Sequence, residues 1–324
     1  MYYIKVKIVK LYGGYIMKYL IIGTGGTGGC IGAYLAKAGN DVTFIARGSH
    51  LKSIRENGLI VHSTRVEDFT VNNAKACTMD EYNETPDVIF VCVKYYSIEE
   101  TNAFINKIAK ENTLVIPVLN VFGTGEVMQE SCPKCTVLDG CIYIFSMIEE
   151  PGVIKQPTSI FKIYFGFRDN QSRDMQKIAE IVEKDLRNAG IEAYLSENIK
   201  RDALQKFSFV SPIGAAGLYH NAVAGDFMVP GEKQDTFISL VKEVELLGQA
   251  MGITFEEDIK EINMKILNGL IKNATTSMQR DVEKGGSSEF DGLVHRVVRL
   301  AEKYNVEVPT YKKISEWGKS NNIC

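Results

Sequence analysis

Lys206 is the residue hardest to place by composition. It lies in "RDALQKFSFVSPIG", Arg201 to Gly214, which reads as a helix running into a proline and is apolar from Leu204 to Val210 except at Gln205, Lys206 and Ser208. A lysine there can snorkel to water from an apolar surface, or it can be a buried acid at an active site. Near the other end of the chain, "GTGGTG" fits the pattern GxGxxG with Gly23, Gly25 and Gly28 in the three glycine places. Gly23 permits a tight turn, Gly25 lets the backbone approach a pyrophosphate, and Gly28 lets a helix pack closely on a strand. With Thr24, Gly26 and Thr27 these residues form a turn between a strand and a helix, and the helix N-terminus offers free N–H groups to phosphates. This context predicts dinucleotide binding.

The end of the second strand selects the dinucleotide. NAD-binding chains usually place an Asp or Glu about 20 residues after the first glycine, where it accepts hydrogen bonds from the ribose. In "TFIARGSH" that place is Ala46, and Arg47 follows. A guanidinium suits a 2'-phosphate, so NADP is favoured over NAD; the bland alternative is a solvated loop charge. Lys94 ends the strand "DVIFVCVK" at the sheet edge where ligands lie, as a cofactor contact or a loop lysine. Asn120, in "PVLNVFGTGE", could bond a nicotinamide ribose and a catalytic side chain, or simply form a turn. In the C-terminal part, Ser277 of "TTSMQRD" could donate to a carboxylate or be a helix-surface hydroxyl. Glu289 follows "GGSS" at a helix start, where the dipole alone favours an acid.

The elements that must position these residues alternate from Lys18 onward between short apolar strands and helical periods. That is the pattern of an α/β fold with a parallel sheet and crossover helices. "KYLIIG", "DVTFIA", "DVIFVCV" and "TLVIPVL" read as core strands, with "GLIVHS" and "EDFTV" as a small strand excursion. "GGCIGAYLAKAG", "SIEETNAFINKIAKE" and "SRDMQKIAEIVEKDLRNAG" read as helices, and "IEAYLS" closes this part as a strand. Beyond Glu197 long helical patterns replace strands, so the expected division is residues 1–16 as an N-terminal extension or mis-set start, a dinucleotide-binding domain at 17–195, and a helical domain at 196–324. A chain of 324 residues exceeds what one core usually serves.

The formal net charge of -3 offers no electrostatic footprint for nucleic acid or an anionic membrane, which points to a small-molecule partner. No run reaches the roughly 18 to 20 apolar residues of a membrane span, and the N-terminus lacks the long apolar core of a signal peptide. The seven cysteines follow no framework spacing, which suits a reducing cytoplasm. Cys132 and Cys135 form a lone CxxC without the second pair or spaced histidines a zinc site requires, so no metal is expected and they read as loop cysteines.

Taken together, "GTGGTG", "ARG", "VCVKYYS", "LNVFGTGE", "ALQKF", "TTSMQRDVEKGGSSEFD" and "VEVPTY" resemble the ketopantoate reductase (2-dehydropantoate 2-reductase) family from Met17 to about Trp317. The resemblance implies a Rossmann-like NADP-binding domain followed by an all-helical C-terminal domain like that of 6-phosphogluconate dehydrogenase, with the active site in the cleft between them. It implies NADPH-dependent reduction of a 2-oxo acid, foremost 2-dehydropantoate to (R)-pantoate in pantothenate biosynthesis, and it allows a homodimer. Lys206 matches the proton donor, Asn120 the asparagine near the nicotinamide that supports it, Glu289 a glutamate at the cofactor, and Ser277 a serine for the substrate carboxylate. Arg47 and Lys94 match basic residues around the adenosine phosphate, and Ser146 a place whose backbone lies along the cofactor. The departures are Val210 and Gly214, where members commonly carry asparagines for the substrate's polar groups. They leave open another small carbonyl substrate, and a non-catalytic NADP-binding regulator is a third reading.

Overall fold

The computed structural model describes residues 16–323; apart from Ile16 the expected N-terminal extension lies outside these residues, as does Cys324. Thirteen strands occupy the first part of the described chain. They are β1 (Lys18–Ile22), β2 (Asp41–Ile45), β3 (Leu59–Ser63), β4 (Phe69–Val71), β5 (Lys75–Cys77), β6 (Val88–Val91), β7 (Leu114–Pro117), β8 (Thr136–Val137), β9 (Asp139–Ile144), β10 (Met147–Glu150), β11 (Val153–Gln156), β12 (Phe161–Gly166) and β13 (Glu192–Leu195). Among them run α1 (Gly26–Lys37), α2 (Gly48–Asn57), α3 (Ile98–Ile108), α4 (Thr124–Ser131) and α5 (Gln176–Asn188). The helices that follow are α6 (Ile199–Tyr219), α7 (Ala224–Phe227), α8 (Glu232–Ala250), α9 (Ile259–Asn268), α10 (Ser277–Glu283), α11 (Arg296–Tyr304) and α12 (Pro309–Ser320). A π-helical turn at Asp291–His295 leads into α11. Contacts divide the chain into two compact units, one of residues up to Leu119 with Gly123–Ile199, the other of Asn120–Phe122 with Lys200 onward.

In the first unit, six strands form a sheet in the order β5-β2-β1-β6-β7-β8, every pair parallel. Strand alternation sends Ile21, Phe44, Phe90 and Ile116 to one face, where they pack with Ile31 and Leu35 of α1 and Val182 and Leu186 of α5. Leu20, Ile22, Ile89 and Val91 go to the other face, with Phe104 and Ile105 of α3 and Met128 of α4. Covering both faces is why these strands read as continuous apolar runs. The chain leaves β1 for β2 on one side and later resumes at β6 on the other, so a topological switch point, where such sheets bind ligands, lies at the carboxyl end of β1. The strand excursion is larger than the sequence suggests. The hairpin β10-β11 joins β3 and β4 in a second sheet, through a parallel β11-β3 pair that only long-range folding brings together.

Every secondary-structure element of the second unit's described residues is a helix, joined by loops. Helix α6 does not stop at Pro212 but continues to Tyr219. A proline inside a helix leaves the carbonyl four residues earlier without its donor, and here that carbonyl, Ser208 O, accepts from Asn263 Nδ2 of α9 at 3.1 Å. Asn263 is fully buried and also donates to Ser208 Oγ at 2.9 Å. The same helix is tied to the π-turn through Ser211, whose hydroxyl donates to Leu293 O at 2.5 Å and lies 2.6 Å from Tyr311 Oη. Buried Glu243 accepts from the backbone N–H groups of Thr310 and Tyr311 at 2.8 and 2.9 Å, capping α12 from another helix. No helix of the described residues is long and apolar enough to cross a membrane.

Candidate active site

The glycine-rich turn is built as its spacing requires. Gly23 has a φ of +93°, and a Cβ added there would sit 2.9 Å from the Cys92 carbonyl carbon, so only glycine fits between β1 and the end of β6. A Cβ on Gly28 would collide with Gly23 O and lie 2.9 Å from Ile21 Cγ2, which is the close helix–strand packing assigned to the third glycine. Gly25 is different, because a Cβ there would meet nothing within 4 Å. Its backbone faces open space, as a site for a pyrophosphate must. Gly25 also caps α1 without a side-chain hydrogen bond, and no acid stands in the first helical turn, so nothing in that turn repels an anion. Thr24 anchors the turn, its N–H and hydroxyl both donating to Ile45 O at 3.2 and 2.8 Å.

Three more of the expected residues follow neighbouring parallel strands. Arg47 follows β2, exposed, as the residue that opens α2. Lys94 follows β6 and opens a short 3-10 turn, half-buried. Asn120 follows β7 by three residues. Ser146 comes from elsewhere, between β9 and β10, yet reaches the glycine-rich turn: a Cβ on Gly26 would lie 2.6 Å from Met147 N and in contact with the Ser146 carbonyl. The residues of the turn therefore fit a dinucleotide, and the Ser146 backbone lies against that turn.

In the helical unit Lys206 is 7 % exposed, and its Nζ donates to Asn120 Oδ1 at 2.7 Å. Lysine can only donate, so this bond fixes the orientation of the amide and leaves its NH2 group available to donate. The Asn120–Phe122 segment is held by further contacts within this unit. Arg296 Nε donates to Phe122 O at 3.0 Å, and the Phe122 and Phe207 rings lie 6.1 Å apart. Arg296 carried no motif in the sequence. Glu289 is 2 % exposed and its carbonyl accepts from Leu293 N at 2.8 Å, so it opens the helical segment that begins with the π-turn. Turns of this kind are frequent at functional sites. Ser277 is half-buried at the first position of α10, after Thr276, which caps that helix in a reciprocal pair with Gln279.

Comparison with known proteins agrees with this architecture. Residues 19–170 match the family model described as ketopantoate reductase PanE/ApbA, and residues 198–319 match that of its C-terminal part. The chain belongs to the ketopantoate reductase family. A 2-dehydropantoate 2-reductase of Pyrococcus abyssi is 28% identical over 90% of this chain and 94% of its own length. The crystal structure of 2-dehydropantoate 2-reductase from Porphyromonas gingivalis W83 superposes with a TM-score of 0.75 at 30% identity, covering 93% of this chain and 98% of that one. A ternary structure of D-mandelate dehydrogenase with NADH and anilino(oxo)acetate shares the fold, with a TM-score of 0.82 at 19% identity over 93% of this chain and 96% of that one. The Rossmann-like domain and the helical C-terminal domain expected from the sequence are those of this oxidoreductase family.

Two details individualise this member. On α6 the positions one and two turns beyond Lys206 are Val210 and Gly214, and a Cβ on Gly214 would lie 2.9 Å from Met278 Cε. Met278, 1 % exposed and next to Ser277, occupies the space a side chain at 214 would need. The CxxC cysteines lie in the loop between α4 and β8, as expected, and that loop buries them in the core under the sheet. Burial pushes the Cys132 thiol up to about 11 and Cys135 to about 12, with Cys132 adding to the latter, so both stay protonated and poorly nucleophilic at neutral pH. Among the described residues no group of three or more His, Cys, Asp or Glu could hold a metal ion.

Proposed function

We propose that this protein is an NADPH-dependent reductase of a small 2-oxo acid. The observation that carries the reading is the bond from buried Lys206 to Asn120, a residue of the loop that leaves strand β7 of the dinucleotide-binding sheet. Gly23–Gly28 would hold the dinucleotide, with Arg47 and Lys94 near its adenosine phosphate, and the bound cofactor would supply the hydride. Lys206 then does the work that the substrate requires. As hydride reaches the C2 carbonyl carbon, negative charge grows on the oxygen, and the ammonium stabilises it and transfers a proton from Nζ to give the hydroxyl. Asn120 fixes the lysine's rotamer through Oδ1 and offers its NH2 group to the nicotinamide ribose. The Ser277 hydroxyl donates to the substrate carboxylate, Glu289 helps arrange the cofactor side of the site, and Ser146 lines the cofactor with its backbone.

Within this class, 2-dehydropantoate, giving (R)-pantoate for pantothenate biosynthesis, is the substrate that the family and the Pyrococcus abyssi relative support. A second reading, reduction of another small carbonyl compound, is favoured by Val210 and by Met278 filling the face of Gly214, which put apolar surface beside the lysine's helix face. Steady-state oxidation of NADPH and of NADH with 2-dehydropantoate and a panel of 2-oxo acids tests both. Turnover is expected with at least one 2-oxo acid; tight dinucleotide binding without turnover of any at millimolar concentration would overturn the proposal.

A further inference from the structure

Asn120 can serve Lys206 only if its own backbone is held, and it stands on a segment without strand or helix that packs with the second unit. The segment ends at Gly123, whose φ of +72° turns the chain into α4 directly after Phe122. Side chains of helical elements tie it down. Lys206 Nζ donates to Asn120 Oδ1 at 2.7 Å, the Phe122 ring lies 6.1 Å from that of buried Phe207, and Arg296 Nε donates to Phe122 O at 3.0 Å. Lys206 and Phe207 are neighbours on α6, whereas Arg296 is the first residue of α11. These two helices are joined in turn, because Ser211 Oγ, five residues after Lys206, donates at 2.5 Å to Leu293 O, three residues before Arg296. The contacts close into a ring that runs from Lys206 to Asn120, along the chain to Phe122, across to Arg296, back to Leu293 and across to Ser211 on the helix of Lys206. A donor anchored to the lysine's own helix thus holds the far end of the segment that carries the lysine's partner. Asp291 of the π-turn, an acid that could draw the guanidinium aside, is engaged at both oxygens by Arg299, at 2.8 and 2.9 Å. A bond from an ionised donor is about twice as strong as a neutral one, which suits a half-buried carbonyl at a turn.

We infer that Arg296 is a positioning residue for the reaction, its Nε–H holding the Phe122 carbonyl so that Asn120 Oδ1 meets Lys206 Nζ. The inference rests on the reductase reading, in which that pair acts at the substrate carbonyl. Two variants separate the bond from the charge. Arg296→Gln puts an amide N–H as many bonds from the backbone as Nε and removes the charge; Arg296→Met puts a methyl group there and removes both. In single-turnover reduction of the 2-oxo acid that the wild type turns over fastest, Arg296→Met should slow the chemical step about tenfold to fiftyfold, the lower half of the range for one hydrogen bond with a charged group. Arg296→Gln should recover most of this and stay within about fivefold of the wild type. In an Asn120→Ala background, Arg296→Met should slow the step less than about twofold further, because the partner it positions is gone. Hydrogen–deuterium exchange of the cofactor-free protein should quicken at Val121 to Gly123 in Arg296→Met and not in Arg296→Gln. A wild-type rate in Arg296→Met would overturn the inference. So would equal losses in the two single variants, which assign the effect to the charge, or an undiminished loss in the Asn120→Ala background, which assigns it to general stability. If the wild type reduces no 2-oxo acid, the reductase reading fails, while the exchange pattern still upholds or overturns the hold of Arg296 on the segment.

Discussion

Replacing Lys206 by methionine keeps the aliphatic stem and deletes the ammonium that sits 2.7 Å from Asn120 Oδ1. A positioned general acid contributes about 10² to 10⁴ in rate, and one donor to a developing oxyanion about 10² to 10³. Both belong to a single group, so they do not multiply; a fall in kcat of about 10³ to 10⁴, or about 4 to 5.5 kcal/mol of barrier, is expected. Folding should change far less. The variant loses a charge-assisted hydrogen bond of about 1.5 to 3 kcal/mol, but it no longer buries an ammonium that is only 7 % exposed, and the two effects oppose each other. A net change of about 1 kcal/mol would move Tm by about 1 to 2 °C in a protein of this size. Single-turnover NADPH oxidation reports the chemical step, fluorescence titration reports NADPH affinity, and calorimetry reports Tm. A chemical step within about tenfold of the wild type would refute the reasoning and leave Lys206 as a structural partner of Asn120. So would a loss of NADPH affinity large enough to account for the lost rate.

Arg47 is exposed at the start of α2, so its contribution to a 2'-phosphate is screened; Arg47→Ala should raise the NADPH KM about tenfold and leave the NADH KM within about twofold, whereas equal changes would mean that the guanidinium does not read the phosphate. Gly214→Asn should cost about 1 to 3 kcal/mol because the new side chain meets Met278, and Met278→Ala in the same protein should recover that loss. Relative kcat/KM for 2-dehydropantoate and its analogue lacking the hydroxyl, 3,3-dimethyl-2-oxobutanoate, should then shift toward 2-dehydropantoate; no shift would place the substrate's hydroxyl elsewhere. Asn263→Ala should destabilise by about 1 to 3 kcal/mol by leaving Ser208 O without a donor inside the protein. Adding Pro212→Ala restores the helical N–H at position 212 and should recover most of it in denaturant titration, which no role of Asn263 unrelated to Pro212 would produce.

Much of this protein is written in short stretches. The turn at Gly23 to Gly28, the strand alternation of Leu20, Ile21 and Ile22, and the helical period of α5 are local patterns, and each forms the element its residues prescribe because hydrophobic periodicity and glycine stereochemistry act over a few residues. Arg47 without a preceding acid is equally local, which is why a preference between dinucleotides could be stated at all.

What could not be read is set by partners far away in sequence. Pro212 reads as a helix end until Asn263, 55 residues beyond Ser208, supplies the missing donor. Gly214 stands only as a departure from the family until Met278 is seen to occupy the place of its side chain, and the burial of Cys132 and Cys135 in their loop depends on the core that closes over them. Locally Asn120 could equally form a turn; the family resemblance sets it beside Lys206, and the folded chain brings the two together across 86 residues. The sequence by itself determined the elements and the chemistry of each side chain. The tertiary structure decided which groups meet, because burial of a polar group is tolerated only where a specific distant partner satisfies it.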